Sequence, residues 1–169
     1  MAKYLQESTS GNGDYQEVQP ITSTAGAADA GKIAQTDANG QWHPSLIPNI
    51  NTITFTASEA IAAGALINIY DSGSGVVRIR NATNAGAGTR AHGYAPAAIA
   101  ASASGTVYLT SGLISGLSGL TPGAQYVLGT AGGLATAIPT ATGSIAQPVG
   151  VAKSATELSF NAGPVTVRA

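Results

Sequence analysis

The chain has 169 residues, no cysteine, a formal charge of −1 and only 9% charged residues. That length predicts one domain with room for an appended arm. Disulfides, thiolate chemistry and cysteine zinc sites are excluded, and the near-neutral balance without a basic cluster argues against a nucleic-acid partner. No run approaches the roughly twenty apolar residues of a membrane-spanning helix. Met1-Ala2-Lys3-Tyr4 leads into polar sequence rather than an apolar signal core, so the expectation is a soluble protein made without an export tag.

Charge and texture divide the chain near residue 50. Residues 1–50 carry five acids and two bases, and residues 51–169 carry three acids and five bases. The first part is rich in turn formers, such as Gly11-Asn12-Gly13-Asp14, and poor in apolar clusters. Alone it cannot bury enough to offset its ordering entropy. The reading is an extended N-terminal arm over 1–50 and a compact β domain over 51–169.

Within the arm, a short hairpin is predicted near 32–42. Asp37 opens its turn, and Asn39-Gly40 tolerates positive φ. Such a hairpin is marginal in water, so Ile33 and Trp42 need a surface to dock on. Pro44 and Pro48 frame Leu46 and Ile47 as two further apolar anchors. About fifty extended residues reach on the order of 150 Å at about 3.3 Å each. The arm therefore folds back on its own domain or bridges to a neighbouring subunit.

From residue 52 onward, apolar residues alternate with polar ones, the signature of half-buried strands. Ile53 and Phe55 share a face; Val77 and Ile79 oppose Arg78 and Arg80; Val107 and Leu109 alternate with Thr106, Tyr108 and Thr110. Tyr126 and Leu128, Leu158 and Phe160, and Val165 and Val167 continue the pattern. Turn signals recur at 72–75, 84–88, 102–105, 132–133, 139–143 and 163–164. Short helices at 58–63 or 96–103 are the only competitors. Two similar runs, TVYLTSGL from Thr106 and QYVLGTAGGL from Gln125, read as two similar hairpins. The fold class is all-β, a small antiparallel β-sandwich or β-barrel.

From Ala91 to Ala152 the chain holds no Asp, Glu, Lys or Arg across 62 residues. At an average of about 25% charged residues, roughly fifteen would be expected. The stretch lacks the like-charge repulsion that keeps monomers apart and is expected to supply the core and a self-association surface.

Candidate chemistry is sparse. His43 and His92 have no acid or second histidine at ligand spacing, and each reads as packed or solvated. Ala30-Gly31-Lys32 lacks the upstream Gly and the Ser/Thr of a phosphate loop. Ser72-Gly73-Ser74-Gly75 reads as a hairpin turn, and no Gly-x-Ser-x-Gly elbow occurs. No catalytic, cofactor-binding or metal residue is predicted. Arg78 and Arg80 on one strand face, with Arg90 nearby, form the one basic patch, suited to an acidic partner surface or the acidic arm of a neighbour. Tyr70, Tyr94, Tyr108 and Tyr126 could serve a carbohydrate- or surface-binding module by stacking, although their alternate positions favour core or interface.

The runs LSGLTPGAQYVLGTAGGL at 117–134, IPT at 138–140 and QPVGVA at 147–152 resemble a β-rich module of tailed-bacteriophage structural proteins, both head decoration (cement) proteins and tail-fibre segments. DAGKIAQTDANGQWHPSLIP at 29–48 resembles a linker of phage virion proteins. The resemblance covers about half of the chain and transfers no functional residues. It implies a non-enzymatic virion protein on the capsid exterior, made in the host cytoplasm. Its partners would be the major capsid protein and itself as a homo-oligomer, most simply a trimer at a three-fold position. A tail-fibre or baseplate adaptor is the alternative. The capsid contacts expected from the residues themselves are Ile33, Trp42, Leu46 and Ile47 in the arm and the Arg78/Arg80 face.

Overall fold

The computed structural model describes residues 4–7, 15–18, 20–22, 33–36, 52–73 and 75–169. The chain forms two compact units, Met1–Ile50 and Asn51–Ala169. In the first, β1 (Tyr4–Glu7) and β2 (Tyr15–Val18) pair antiparallel. Ile21 bridges Ala34 in parallel, with Ile21 N donating to Ile33 O and Gln35 N donating to Ile21 O. The turn and return strand of the hairpin expected near 32–42 lie outside the described residues, as do Trp42, Leu46 and Ile47.

The second unit is all-β; among the described residues the one helical element is a single 3-10 turn at Ala87–Thr89. One sheet holds β3 (Thr52–Thr56), β4 (Leu66–Asp71), β5 (Val77–Asn81), β6 (Gly93–Tyr94) and β7 (Ser104–Leu109), in the order β3-β7-β6-β4-β5. The other holds β8 (Ser111–Ile114), β9 (Gln125–Leu128), β10 (Leu134–Ala135), β12 (Pro148–Ala152) and β13 (Leu158–Asn161), in the order β10-β9-β12-β13-β8. A small ribbon pairs β11 (Ile145–Ala146) with β14 (Thr166–Val167). Every strand pairing is antiparallel. The segments 58–63 and 96–103 are not helical; reciprocal 2.9 Å bonds between Ile61 and Ile99 join them instead.

The two sheets share one continuous run of chain. β7 passes into β8 through Thr110, whose φ of 66° is costly for a β-branched residue and bends the strand out of one sheet into the other. The run from Thr106 is therefore a sheet-switching strand rather than the expected hairpin, whereas the run from Gln125 does form one, β9 with β10. Gly93 makes the crowded β6–β7 pairing feasible, since a Cβ there would lie 2.1 Å from Tyr108 O. Gly150, at φ 152°, sits at the register shift of β12, where a Cβ would meet Ser159 O at 2.2 Å.

Strand β4 is buried on both sides, and this organises the core. Leu66 joins Tyr94, Ile114, Tyr126, Leu128, Val149, Leu158 and Phe160 between the sheets. Ile67 faces the other way, into a second core with Ile61, Ile79, Ile99 and Val107. The first sheet curls round that second core, drawn together by a parallel bridge between Ala57 and Ile79. Between the sheets Tyr94 stacks on Tyr108 at 5.3 Å and meets Phe160 edge-on at 5.4 Å. Tyr94 and Tyr126 are thus core residues, and Tyr126 Oη accepts the Thr121 N–H. Most of the buried residues between the sheets come from the charge-free stretch.

Candidate functional site

Register places Asn68 beside Arg80 and Tyr70 beside Arg78 across β4 and β5, all on the face that begins with Leu66. At Leu66 this face is covered by the second sheet, and burial then declines along β4 from Leu66 to Asp71. Where the cover ends, the face turns polar and basic. Arg80 is held there by three contacts. Its Nε donates to Asn68 Oδ1 at 3.0 Å, Nη2 donates to Gly88 O at 3.2 Å, and the guanidinium lies 4.2 Å from the centre of the Tyr70 ring. The last is a cation–π geometry, favourable for a partly desolvated cation.

The segment Arg90-Ala91-His92 lies alongside and is clamped through its backbone. Asn68 Nδ2 donates to Arg90 O at 2.9 Å. The Gln147 side chain mimics a strand edge, its Oε1 accepting Ala91 N–H at 2.8 Å and its Nε2 donating to Ala91 O at 2.9 Å. His92 N donates to Ile67 O at 2.8 Å. Asn68 and Gln147 are only 1% and 2% exposed, and they are two of the three buried polar side chains among the described residues. Burying an amide is tolerable only when its hydrogen bonds are made, and no buried side-chain N or O among the described residues lacks a partner. Both amides hold the same three residues. The side chain this scaffold offers to solvent is that of Arg90, with His92 half-buried beside it.

His92 is locked through its ring. Ile69 N–H donates to Nδ1 at 2.9 Å, and Asn68 Nδ2 lies 3.4 Å from the same nitrogen. Burial, and then the charge of Arg90, hold its pKa below the ordinary 6.5. The imidazole is therefore neutral near pH 7.

Arg78, Arg80 and Arg90 have no carboxylate partner among the described residues. The carboxylates nearby accept hydrogen bonds from backbone and amide groups instead. Glu59 Oε1 accepts from Asn81 N and Nδ2, and Asp71 Oδ1 accepts from Gly73 N. The result is a face of positive charge with oriented N–H donors and, among the described residues, no ion pair to its arginines, able to bind an acidic surface.

Of the residues expected from sequence, Arg78 and Arg80 stand on this face, and Asn68 links Arg80 to the backbone carbonyl of Arg90. Ile33 belongs to the first unit and is 54% exposed. Trp42, Leu46 and Ile47 lie outside the described residues. The contributions of Asn68, Gln147 and His92 were not read from sequence. A hint of the first is a lone amide inside the apolar run Ala65-Leu66-Ile67-Asn68-Ile69. Among the described residues no group of three or more His, Cys, Asp or Glu could hold a metal, and no helix is long and apolar enough to cross a membrane. No protein-family model, curated protein or solved structure matches this chain.

Proposed function

We propose that this chain is a virion structural protein of the tailed-phage type, which binds the outer capsid surface and cements the head without doing chemistry. The observation that carries the reading is the basic face, without an ion pair among the described residues, in which buried amides position Arg80 and the Arg90–His92 segment on an all-β frame. The resemblance of residues 29–48, 117–134, 138–140 and 147–152 to phage virion modules supplies the partner, the major capsid protein. The uncharged surface from Ala91 to Ala152 fits association with further copies, in the simplest case a trimer at a three-fold position. Many copies on one shell would add their weak contacts by multivalency.

Particles stripped of this protein should break at lower temperature and higher internal pressure sensitivity than particles to which it has been added back, read as DNA release on heating and in low salt. Arg78→Glu combined with Arg80→Glu should abolish that restoration, and raised salt should weaken binding of the unaltered protein, because exposed charge contacts are screened. Equal survival of stripped and restored particles overturns the cementing role. A copy number far below that of the major capsid protein moves the protein to the tail fibre or baseplate.

A further inference from the structure

The ring contacts of His92 contain a mismatch that an isolated domain leaves open. A neutral imidazole has one N–H and one acceptor nitrogen. The acceptor is Nδ1, because the Ile69 amide, fixed in β4, and the Asn68 Nδ2 group both present hydrogens to it. The Asn68 amide cannot be reversed without turning its NH2 group toward Arg80 Nε, a second donor. The proton of His92 therefore sits on Nε2. Yet Arg90 Nε, itself an N–H donor, lies 3.0 Å from that nitrogen. Two donors face each other with no acceptor between them. The Arg90 side chain is exposed, while its carbonyl is the part held by Asn68, so the side chain can move aside and admit an acceptor.

We propose that this gap is a carboxylate-binding slot, filled by an Asp or Glu side chain of the partner. This inference rests on reading the basic face as a docking surface and names what it docks. The carboxylate accepts from His92 Nε2–H and from the Arg90 guanidinium, a charge-assisted pairing with the strength and direction of a fork contact. The two groups carry a single positive charge between them, which one monoanionic carboxylate neutralises and a phosphate dianion overfills. A cleft of about 480 Å³ adjoins the pair, bordered by Thr110, Asn161, Gly163 and Val165, and it has space for an acidic side chain with its flanking backbone. Gln147 and Asn68 act as positioning residues, since they reach the slot only through the backbone of Ala91 and Arg90.

The test uses the full chain labelled with nitrogen-15, with acetate as the probe. Long-range histidine spectra should show His92 as the Nε2–H tautomer. Acetate should then shift the His92 Nε2–H and Arg90 Nε–H signals saturably, while sodium chloride at the same ionic strength should not. Arg90→Gln, which keeps the carbonyl held by Asn68, should weaken the acetate response about tenfold or more. A His92 proton on Nδ1, a non-saturable response, or an equal response to inorganic phosphate would each overturn the slot. Failure here is separable from failure of the cementing role. Saturable acetate binding with no protection of particles removes only the latter, and protection by an Arg90→Gln protein equal to the unaltered one removes only the slot.

Discussion

Two solvent-facing sheet surfaces of the second unit are built on opposite terms. On β4 and β5 the face carries Tyr70, Arg78 and Arg80, with Arg90 alongside, and two buried amides orient its cations. On the second sheet, Gln125, Val151, Ser159 and Leu113 lie side by side across four strands, all exposed and none charged. Burying the first face without a matching anion strands charges out of water, a cost of several kcal/mol per ion even after relaxation. Burying the second strands no charge, and the exposed Leu113 and Val151 contribute about 25 cal/mol for each Å² of apolar area removed from water. The first surface can reject partners. The second accepts a fit by shape, which suits contact between identical copies. On the proposed reading, selectivity thus comes from where polar side chains are fixed rather than from where apolar area is exposed.

The largest expected effect removes the support common to both surfaces. Phe160 is 1% exposed between the sheets and meets Tyr94 edge-on. Phe160→Ala should cost about 3–5 kcal/mol, read as a lower urea midpoint, with loss of the proposed capsid binding and self-association together. A loss below about 1 kcal/mol would mean that the sheets are not held by this core. Gln147→Met separates the surfaces instead. It keeps the side-chain length but leaves the buried N–H and C=O of Ala91 without their partner, at about 1–3 kcal/mol. Amide exchange should accelerate at Ala91 and His92, acetate binding should fall, and self-association through the uncharged face should persist. If both interactions decline in parallel, the two surfaces are not independent.

A pH titration probes the basic face alone. Because the His92 pKa is depressed in the folded state, the unfolded chain takes up the proton first as pH falls. Its contribution to stability is intact above about 6.5, declines as pH drops from there toward the lower folded-state value, and is constant below that value. Comparing urea midpoints of the unaltered protein and His92→Gln across this window should show a shallower decline in the variant. A decline of equal slope would mean that the ring is not held neutral by burial and by Arg90.

Much of this architecture was legible in the chain wherever one side of a strand is wet. Alternation marks β5 through Val77, Arg78, Ile79 and Arg80 and so picks out the arginines of the site, although only Ile79 is buried, Val77 is exposed and both arginines are half-buried. It fails at β4, where Leu66 and Ile67 are both fully buried in different cores and no alternation survives. It also fails at β12, where the bulge before Gly150 breaks the period. The Gln147–Ala91 clamp joins positions 56 residues apart, through a side chain acting as a strand edge, and no local pattern encodes such a contact. The turn after Leu109 misleads because a TSG run normally marks a reversal; positive φ at Thr110 instead carries the strand across to the second sheet.

The smallest expected effect on stability is the sharpest test of the contrast. Val151 and Leu113 point away from the core and are each 44% exposed. Lysine at either position should change folding stability by no more than about 0.5 kcal/mol, as is usual for surface sites away from special features. Within an assembly of identical copies the same lysine would meet an uncharged surface and lose hydration without gaining a counter-ion. Val151→Lys with Leu113→Lys should therefore shift the sedimentation profile toward monomer while leaving the urea midpoint and the acetate response of His92 unchanged. If the proposed oligomer survives both lysines, self-association uses another surface, and Thr136→Lys, a further exposed position of the charge-free stretch, becomes the next discriminating variant. If the acetate response disappears as well, the two faces communicate through the sheets, and the division between a selecting surface and an accepting one falls.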